Sequence, residues 1–132
     1  MDAKCRVLLV DDEPIFLKSM TKVLTVRGYE VGVAENGRRA LEELATKAYD
    51  VVVLDQRMPE MDGITTLEHI QQKYPVLPVI LLTGHAEVGT AVEAMARGAV
   101  DYLMKPALVE KLCERIQAAL DRKRILEEMQ RS

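Results

Sequence analysis

Five short apolar runs punctuate the chain, at residues 7–10, 30–34, 51–54, 79–82 and 100–104. Most are rich in Val, Ile or Leu without alternation, the pattern of a strand covered on both faces. Between them, apolar residues return at helical spacing. Phe16, Met20 and Val23 mark a first stretch, and Ala40/Leu41, Leu44/Ala45 and Ala48 a second. Ile64, Leu67, Ile70 and Tyr74 mark the third. Val88, Ala91/Val92 and Met95 mark the fourth, and Leu108, Leu112, Ile116 and Ala119/Leu120 the fifth.

The punctuation fits this alternation. Pro14 suits a first helical turn, where its missing N–H leaves nothing unsatisfied. Gly28 and Gly98 fall where a helix would end on a left-handed residue. Pro75 and Pro78 bracket the approach to the fourth strand. Asn36-Gly37 would ordinarily signal a hairpin, but a helical pattern follows it, so it reads as a strand-to-helix turn. The pattern predicts an α/β domain of order (βα)₅, with a parallel sheet and helices on both faces. It contains no internal repeat, low-complexity segment or internal linker. We expect the domain to occupy residues 1–120. The charged residues 121–132 are expected to extend the last helix or begin a linker.

Composition narrows the class. At 132 residues the chain suits one domain able to fold without staples. A net charge of −3 supplies no global basic surface for nucleic acid, so direct nucleic-acid binding is not expected. Two cysteines without a C-x-x-C motif fit a reduced, cytoplasmic protein. No apolar run approaches the roughly 20 residues that span a bilayer, and the first residues lack a signal-peptide layout.

The chemistry gathers at predicted strand ends. Asp11 and Asp12 follow the first strand, Asp55 the third, Thr83 the fourth and Lys105 the fifth. Open parallel sheets bind ligands in the crevice at that edge. Three carboxylates there repel one another and call for a cation. All-oxygen ligands suit Mg²⁺, and no Cys/His cluster points to zinc. A carboxylate can also act as a nucleophile and form an aspartyl-phosphate. Phosphoryl transfer then requires charge neutralisation at three peripheral oxygens. Mg²⁺, Lys105 and the Thr83 hydroxyl together match that need. Taken singly, each residue has a plainer reading. Asp11 and Asp12 could cap the helix beginning near Pro14. Asp55 could cap a loop, Thr83 could be a turn residue, and Lys105 a surface lysine. Only their joint placement favours chemistry.

The chain resembles the receiver domain of bacterial two-component response regulators over about residues 5–120. The resemblance rests on Leu8-Leu9-Val10-Asp11-Asp12-Glu13, Leu54-Asp55, Met58-Pro59-Glu60-Met61-Asp62-Gly63, Leu82-Thr83-Gly84, Gly98-Ala99, Asp101-Tyr102 and Lys105-Pro106. It implies a flavodoxin-like fold with strand order 2-1-3-4-5. It makes Asp55 the phosphoacceptor, with Lys105 and Thr83 assisting. It implies that Asp12 and Asp55 contact Mg²⁺ directly, that Asp11 acts mainly through water, and that the Arg57 main-chain carbonyl adds a ligand. Thr83 and Tyr102 become a switch pair that changes the face formed by the fourth helix, fifth strand and fifth helix. The Lys105–Pro106 bond is expected to be cis, and Arg57 and His85 to tune phosphoryl lifetime. From the residues alone, Tyr102 reads as a half-buried core aromatic, and Arg57 and His85 as solvent-facing loop residues.

The resemblance implies a histidine kinase or phosphotransfer protein as donor, and an output domain or protein downstream. Thr83-Gly84-His85-Ala86 looks like regulators of enhancer-dependent transcription. Ile116, Ala119/Leu120, Leu126 and Met129 could form an apolar stripe for a homodimer or a helical linker, or belong to a frayed tail. The chief rival is a Mg²⁺-dependent aspartyl-phosphate phosphatase resembling haloacid dehalogenases. Those enzymes carry a second Asp two residues after the nucleophile, where Arg57 stands here. A dinucleotide-binding module is disfavoured because no G-x-G-x-x-G follows the first strand.

Overall fold

The computed structural model describes residues 4–58, 60–84, 88–105 and 109–131. Strands β1 Arg6–Val10, β2 Glu30–Ala34, β3 Val51–Leu54, β4 Val79–Thr83 and β5 Asp101–Met104 alternate with five helices. The helices are α1 Pro14–Val26, α2 Gly37–Thr46, α3 Gly63–Lys73, α4 Val88–Ala96 and α5 Val109–Arg131. All strand pairs are parallel, in the order β2-β1-β3-β4-β5. This is the predicted topology.

The unbroken apolar strands have the predicted cause. Every residue of β3 and β4 is buried. One side of the sheet, carrying Leu8, Val52, Leu54 and Leu81, packs on α2, α3 and α4 through Leu44, Leu67, Ile70 and Ala94. The other side, carrying Val7, Leu9, Val53 and Ile80, packs on α1 and α5 through Leu17, Leu24, Leu112 and Ile116.

Register sets up the crevice. Val10 is level with Leu54, so Asp11 and Asp55 leave the sheet side by side. Thr83 is level with Met104, which places Lys105 just beyond it. The strand order reverses around β1 and β3, the place where open sheets bind ligands.

Local signals act as expected at several boundaries. Pro14 stands in the first turn of α1. Asn36 caps α2, its side chain accepting a hydrogen bond from the Arg39 N–H at 2.8 Å. Gly28 and Gly98 have φ of +98° and +110°. After α1, the Tyr29 N–H reaches back to the Leu24 carbonyl and Gly28 to Thr25; after α4, Ala99 reaches Ala94 and Gly98 reaches Met95. Both are the paired bonds of a Schellman ending.

Three helical faces differ from expectation. In α1 the deepest residues are Leu17 and Leu24, while Phe16, Met20 and Val23 are only partly buried. In α2, Ala40 and Leu44 face inward, but Ala45 is exposed and Ala48 lies beyond the helix end. In α4, Val92 and Met95 point to solvent and the small Ala94 is buried. Periodicity finds a helix but not its rotation when apolar residues lie on more than one side. The small Ala94 at the contact lets α4 pack without a large apolar stripe.

Candidate functional site

The five polar residues singled out at strand ends meet at one edge of the sheet. Asp11 follows β1, and its N–H bonds to the Ala34 carbonyl at 3.1 Å. Asp55 follows β3, and its N–H bonds to the Val10 carbonyl at 2.9 Å. These extensions of the ladder fix both backbones. Asp11, Asp55 and Thr83 are buried, whereas Asp12 is exposed. Ligand oxygens of Asp11, Asp12 and Asp55 all lie within 4.8 Å of one another.

Lys105 reaches into this cluster. Its N–H bonds to the Thr83 carbonyl at 2.7 Å, tying the fifth-strand loop to the end of β4. Its ammonium donates to Asp11 Oδ2 at 2.5 Å and stands 3.8 Å from Asp55 Oδ1. Burial opposes the charged lysine, but the hydrogen bond and charge of Asp11, followed by Asp55 and Glu13, raise its pKa. Asp55 is pushed up to about 6, first by burial and then by Asp11, with Asp12 adding to it and Lys105 opposing it. The cluster is short of positive charge despite the lysine.

The capping alternative for Asp11 and Asp12 does not hold. The N-cap of α1 is Glu13, and it makes no side-chain cap bond. Asp11 Oδ1 accepts from the Glu13 N–H at 2.9 Å and turns the chain over the site. Beside the carboxylates lies a cavity of about 490 Å³ lined by Asp12, Arg57, Thr83 and Thr90, among others. Arg57 is exposed on its wall. Tyr102 sits half-buried on β5 against the core of the α3 side, opposite Leu81. His85 and Pro106 lie outside the described residues.

Sequence reasoning left several contributors without a role. Gln56 Oε1 accepts from the Ile64 N–H at 2.9 Å, and the Gly63 N–H bonds to the Gln56 carbonyl at 2.9 Å. These bonds pull the start of α3 over the residue next to Asp55. A Cβ on Gly63 would overlap the Asp55 carbonyl oxygen and fall 2.8 Å from Gln56 Cα. Asp62 caps α3 by accepting from the Thr65 N–H at 2.9 Å. An Asp just before the helical pattern that begins at Ile64 was a legible cap signal. Glu13 and Phe16 touch Lys105, at 3.2 Å and at 4.3 Å to the ring centroid. Nothing in their spacing announced those contacts.

The sequence profile of the response regulator receiver domain matches residues 7–117. The chain belongs to the response regulator receiver domain family. This receiver is 40% identical over 121 residues to the transcriptional regulatory protein ZraR of Escherichia coli O157:H7, covering 92% of this chain and 27% of that protein. It is 44% identical over 120 residues to the regulatory protein AtoC of Escherichia coli K12, covering 91% of this chain and 26% of AtoC. The chain thus spans about a quarter of the length of these relatives. Among solved structures it resembles a response regulator receiver domain protein from Clostridium thermocellum. The TM-score is 0.88 at 34% identity, covering 92% of this chain and 98% of that one. The family is one of signalling switches, and the match decides against the phosphatase reading. Among the described residues, no helix is long and apolar enough to cross a membrane.

Proposed function

We propose that this receiver is a cytoplasmic, phosphorylation-dependent switch in which Asp55 accepts a phosphoryl group from a histidine kinase or phosphotransfer protein. The observation that carries the reading is the gathering of three carboxylate side chains and one lysine at the switch point of the sheet. One Asp55 oxygen attacks phosphorus, and the P–N bond to the donor imidazole breaks. With a pKa near 6, Asp55 is mostly ionised at neutral pH and ready to attack. Lys105 swings its ammonium onto a peripheral phosphoryl oxygen, and the Thr83 hydroxyl donates to another.

The donor set fits Mg²⁺. It is all oxygen, tightly grouped and short of positive charge. Asp12, Asp55 and the Arg57 main-chain carbonyl would hold the ion. Asp11, one of whose oxygens is taken by Lys105, would act through water. A bound Mg²⁺ supplies charge to one phosphoryl oxygen and offsets carboxylate repulsion. Arg57 and His85 are proposed to tune how long the phosphoryl group survives.

The new group becomes a signal through β4 and β5. Thr83 moves toward the phosphoryl group, and Tyr102 turns into the space it leaves. The face formed by α4, β5 and α5 then changes. Val92, Met95 and Met104 are 64%, 49% and 51% exposed on these elements, an apolar surface for an output domain or partner. The active form is a minor state that phosphorylation populates. A swing from 1:99 to 99:1 requires about 5.5 kcal/mol, within reach of several charge-assisted hydrogen bonds. Residues 121–131 leave Ile125, Leu126 and Met129 exposed on α5, a second apolar surface suited to a homodimer or a helical linker.

Acetyl phosphate with Mg²⁺ should add one phosphoryl mass to the parent and none to Asp55→Asn. Full labelling of that variant would refute the assignment. Thr83→Ala should accept phosphate yet show little beryllofluoride-induced change in α4 and β5. An unchanged response there removes Thr83 as the transmitter.

A further inference from the structure

Lys105 faces more competition for its charge than phosphoryl chemistry requires. An ammonium has three N–H donors. One goes to Asp11 Oδ2 at 2.5 Å and another to Glu13 Oε1 at 3.2 Å, while Asp55 Oδ1 at 3.8 Å lies beyond hydrogen-bonding reach. The Phe16 ring covers the ammonium at 4.3 Å to its centroid, a cation–π distance.

Glu13 and Phe16 are both unexpected in these roles. Glu13 occupies the N-cap of α1 with an extended backbone, a place where Ser, Thr, Asp or Asn is favoured. It makes no cap bond, and its carboxylate goes to Lys105 instead. Phe16 is the largest apolar residue of α1, yet Leu17 and Leu24 take the core positions. The aromatic ring stays half-buried beside the lysine.

We infer that Glu13 and Phe16 are positioning residues that hold the Lys105 ammonium away from Asp55 in the resting protein and slow phosphoryl acceptance. The inference rests on Asp55 being the acceptor, as proposed above. A phosphoryl oxygen on Asp55 must recruit an N–H now given to Asp11 or Glu13. Asp11 is buried among the proposed metal ligands, whereas the Glu13 side chain is 65% exposed. Glu13 is therefore the partner that can be removed without disturbing the site. An ion pair whose carboxylate partner is exposed is worth about a two- to threefold change in rate. The half-buried cation–π contact is worth at least about as much.

The test uses the full chain, with acetyl phosphate as donor at fixed Mg²⁺. Glu13→Gln, Glu13→Asp and Phe16→Leu are compared with the parent by the rate of phosphoryl mass gain. Glu13→Gln and Glu13→Asp should both accelerate labelling about two- to threefold. Aspartate keeps the charge but is one methylene too short to keep the contact. Phe16→Leu should accelerate it about twofold. The second readout is the Lys105 ¹⁵Nζ resonance in the resting, cation-free protein. It should move in all three variants, with faster exchange of the ammonium protons. A Glu13→Gln rate equal to the parent's overturns the inference. So does a Glu13→Asp rate equal to the parent's beside a faster Glu13→Gln, because charge at a distance would then be the cause. An unmoved ¹⁵Nζ resonance in Glu13→Gln overturns it as well. That resonance remains readable if the parent accepts no phosphoryl group, an outcome that would defeat the assignment of Asp55 instead.

Discussion

The helices α3 and α4 lie on the same side of the sheet, yet they are held in different ways. α3 buries Ile64, Leu67 and Ile70, and its start is pinned by Asp62 and Gln56. α4 places Ala94 in the core while Val92 and Met95 remain in solvent. An ion pair between Arg97 and Glu68 links the two, but an exposed pair contributes little. α3 anchors the loop that carries Asp55, which holds the proposed phosphoacceptor in place. α4 adjoins the surface proposed to change shape, and the residue it buries there, Ala94, is small. The contrast puts the firmer packing beside the proposed phosphoacceptor and the lighter packing beside the proposed output face.

The contrast can be broken most directly by truncation. Leu67→Ala should cost about 2–5 kcal/mol, because Leu67 is fully buried. Met95→Ala should stay within about 0.5 kcal/mol. Urea unfolding of both variants decides the matter, and comparable losses would mean that α4 is packed as firmly as α3.

The next effect concerns the acid at the foot of α3. Asp55 has a pKa of about 6 in the fold, against about 3.9 in an unfolded chain. Below pH 4 both states hold the proton and the site carries no penalty. As pH rises from 4 to 6 the unfolded chain releases its proton first, and the fold loses stability. The loss levels off above pH 6 at up to about 3 kcal/mol. Asp55→Asn should therefore be more stable than the parent at pH 7 without divalent cations, and the gain should vanish near pH 4. Thermal unfolding in chelator across this range measures it. A gain that is constant with pH would show that Asp55 carries no titration penalty.

Two smaller changes sharpen the view of α3. Asp62→Ala removes its N-cap and should cost about 1 kcal/mol. Amide exchange should quicken at the start of α3 while that of α4 stays unchanged. Glu60, in the loop before α3, has φ of +71°, a left-handed conformation uncommon outside glycine. Glu60→Gly should relieve that strain and stabilise by about 0.5 kcal/mol. Equal or lower stability on denaturation would show that the loop holds Glu60 without strain.

The fold and the gathering of acids were legible because they depend on coarse signals. Continuous apolar runs gave the strands, and charged residues directly after them gave the edge of the site. Side-chain rotation was harder to read. Phe16 carries the same apolar weight as Leu17, yet it packs at the rim of the core beside the lysine that follows β5 while Leu17 goes deep. Val92 and Met95 are as hydrophobic as any core residue. The helix instead turns Ala94 into the core, a rotation that no periodicity records. Glu13 was visible beside Asp11 and Asp12, but its contact spans 92 positions of sequence. Pairings at that separation exist only once the sheet has formed.

The length of α5 has a mechanical consequence. The helix runs from Val109 to Arg131, well past residue 117 where the match to the receiver family ends. At 1.5 Å per residue, its 23 residues form a rod of about 35 Å. A tilt of about 5° about its first turn would carry the far end roughly 3 Å. Its base follows the loop that carries Lys105, the residue expected to swing toward a phosphoryl group. If the switch proposed above operates, the helix would act as a lever, turning a small adjustment at its base into a larger displacement at its far end.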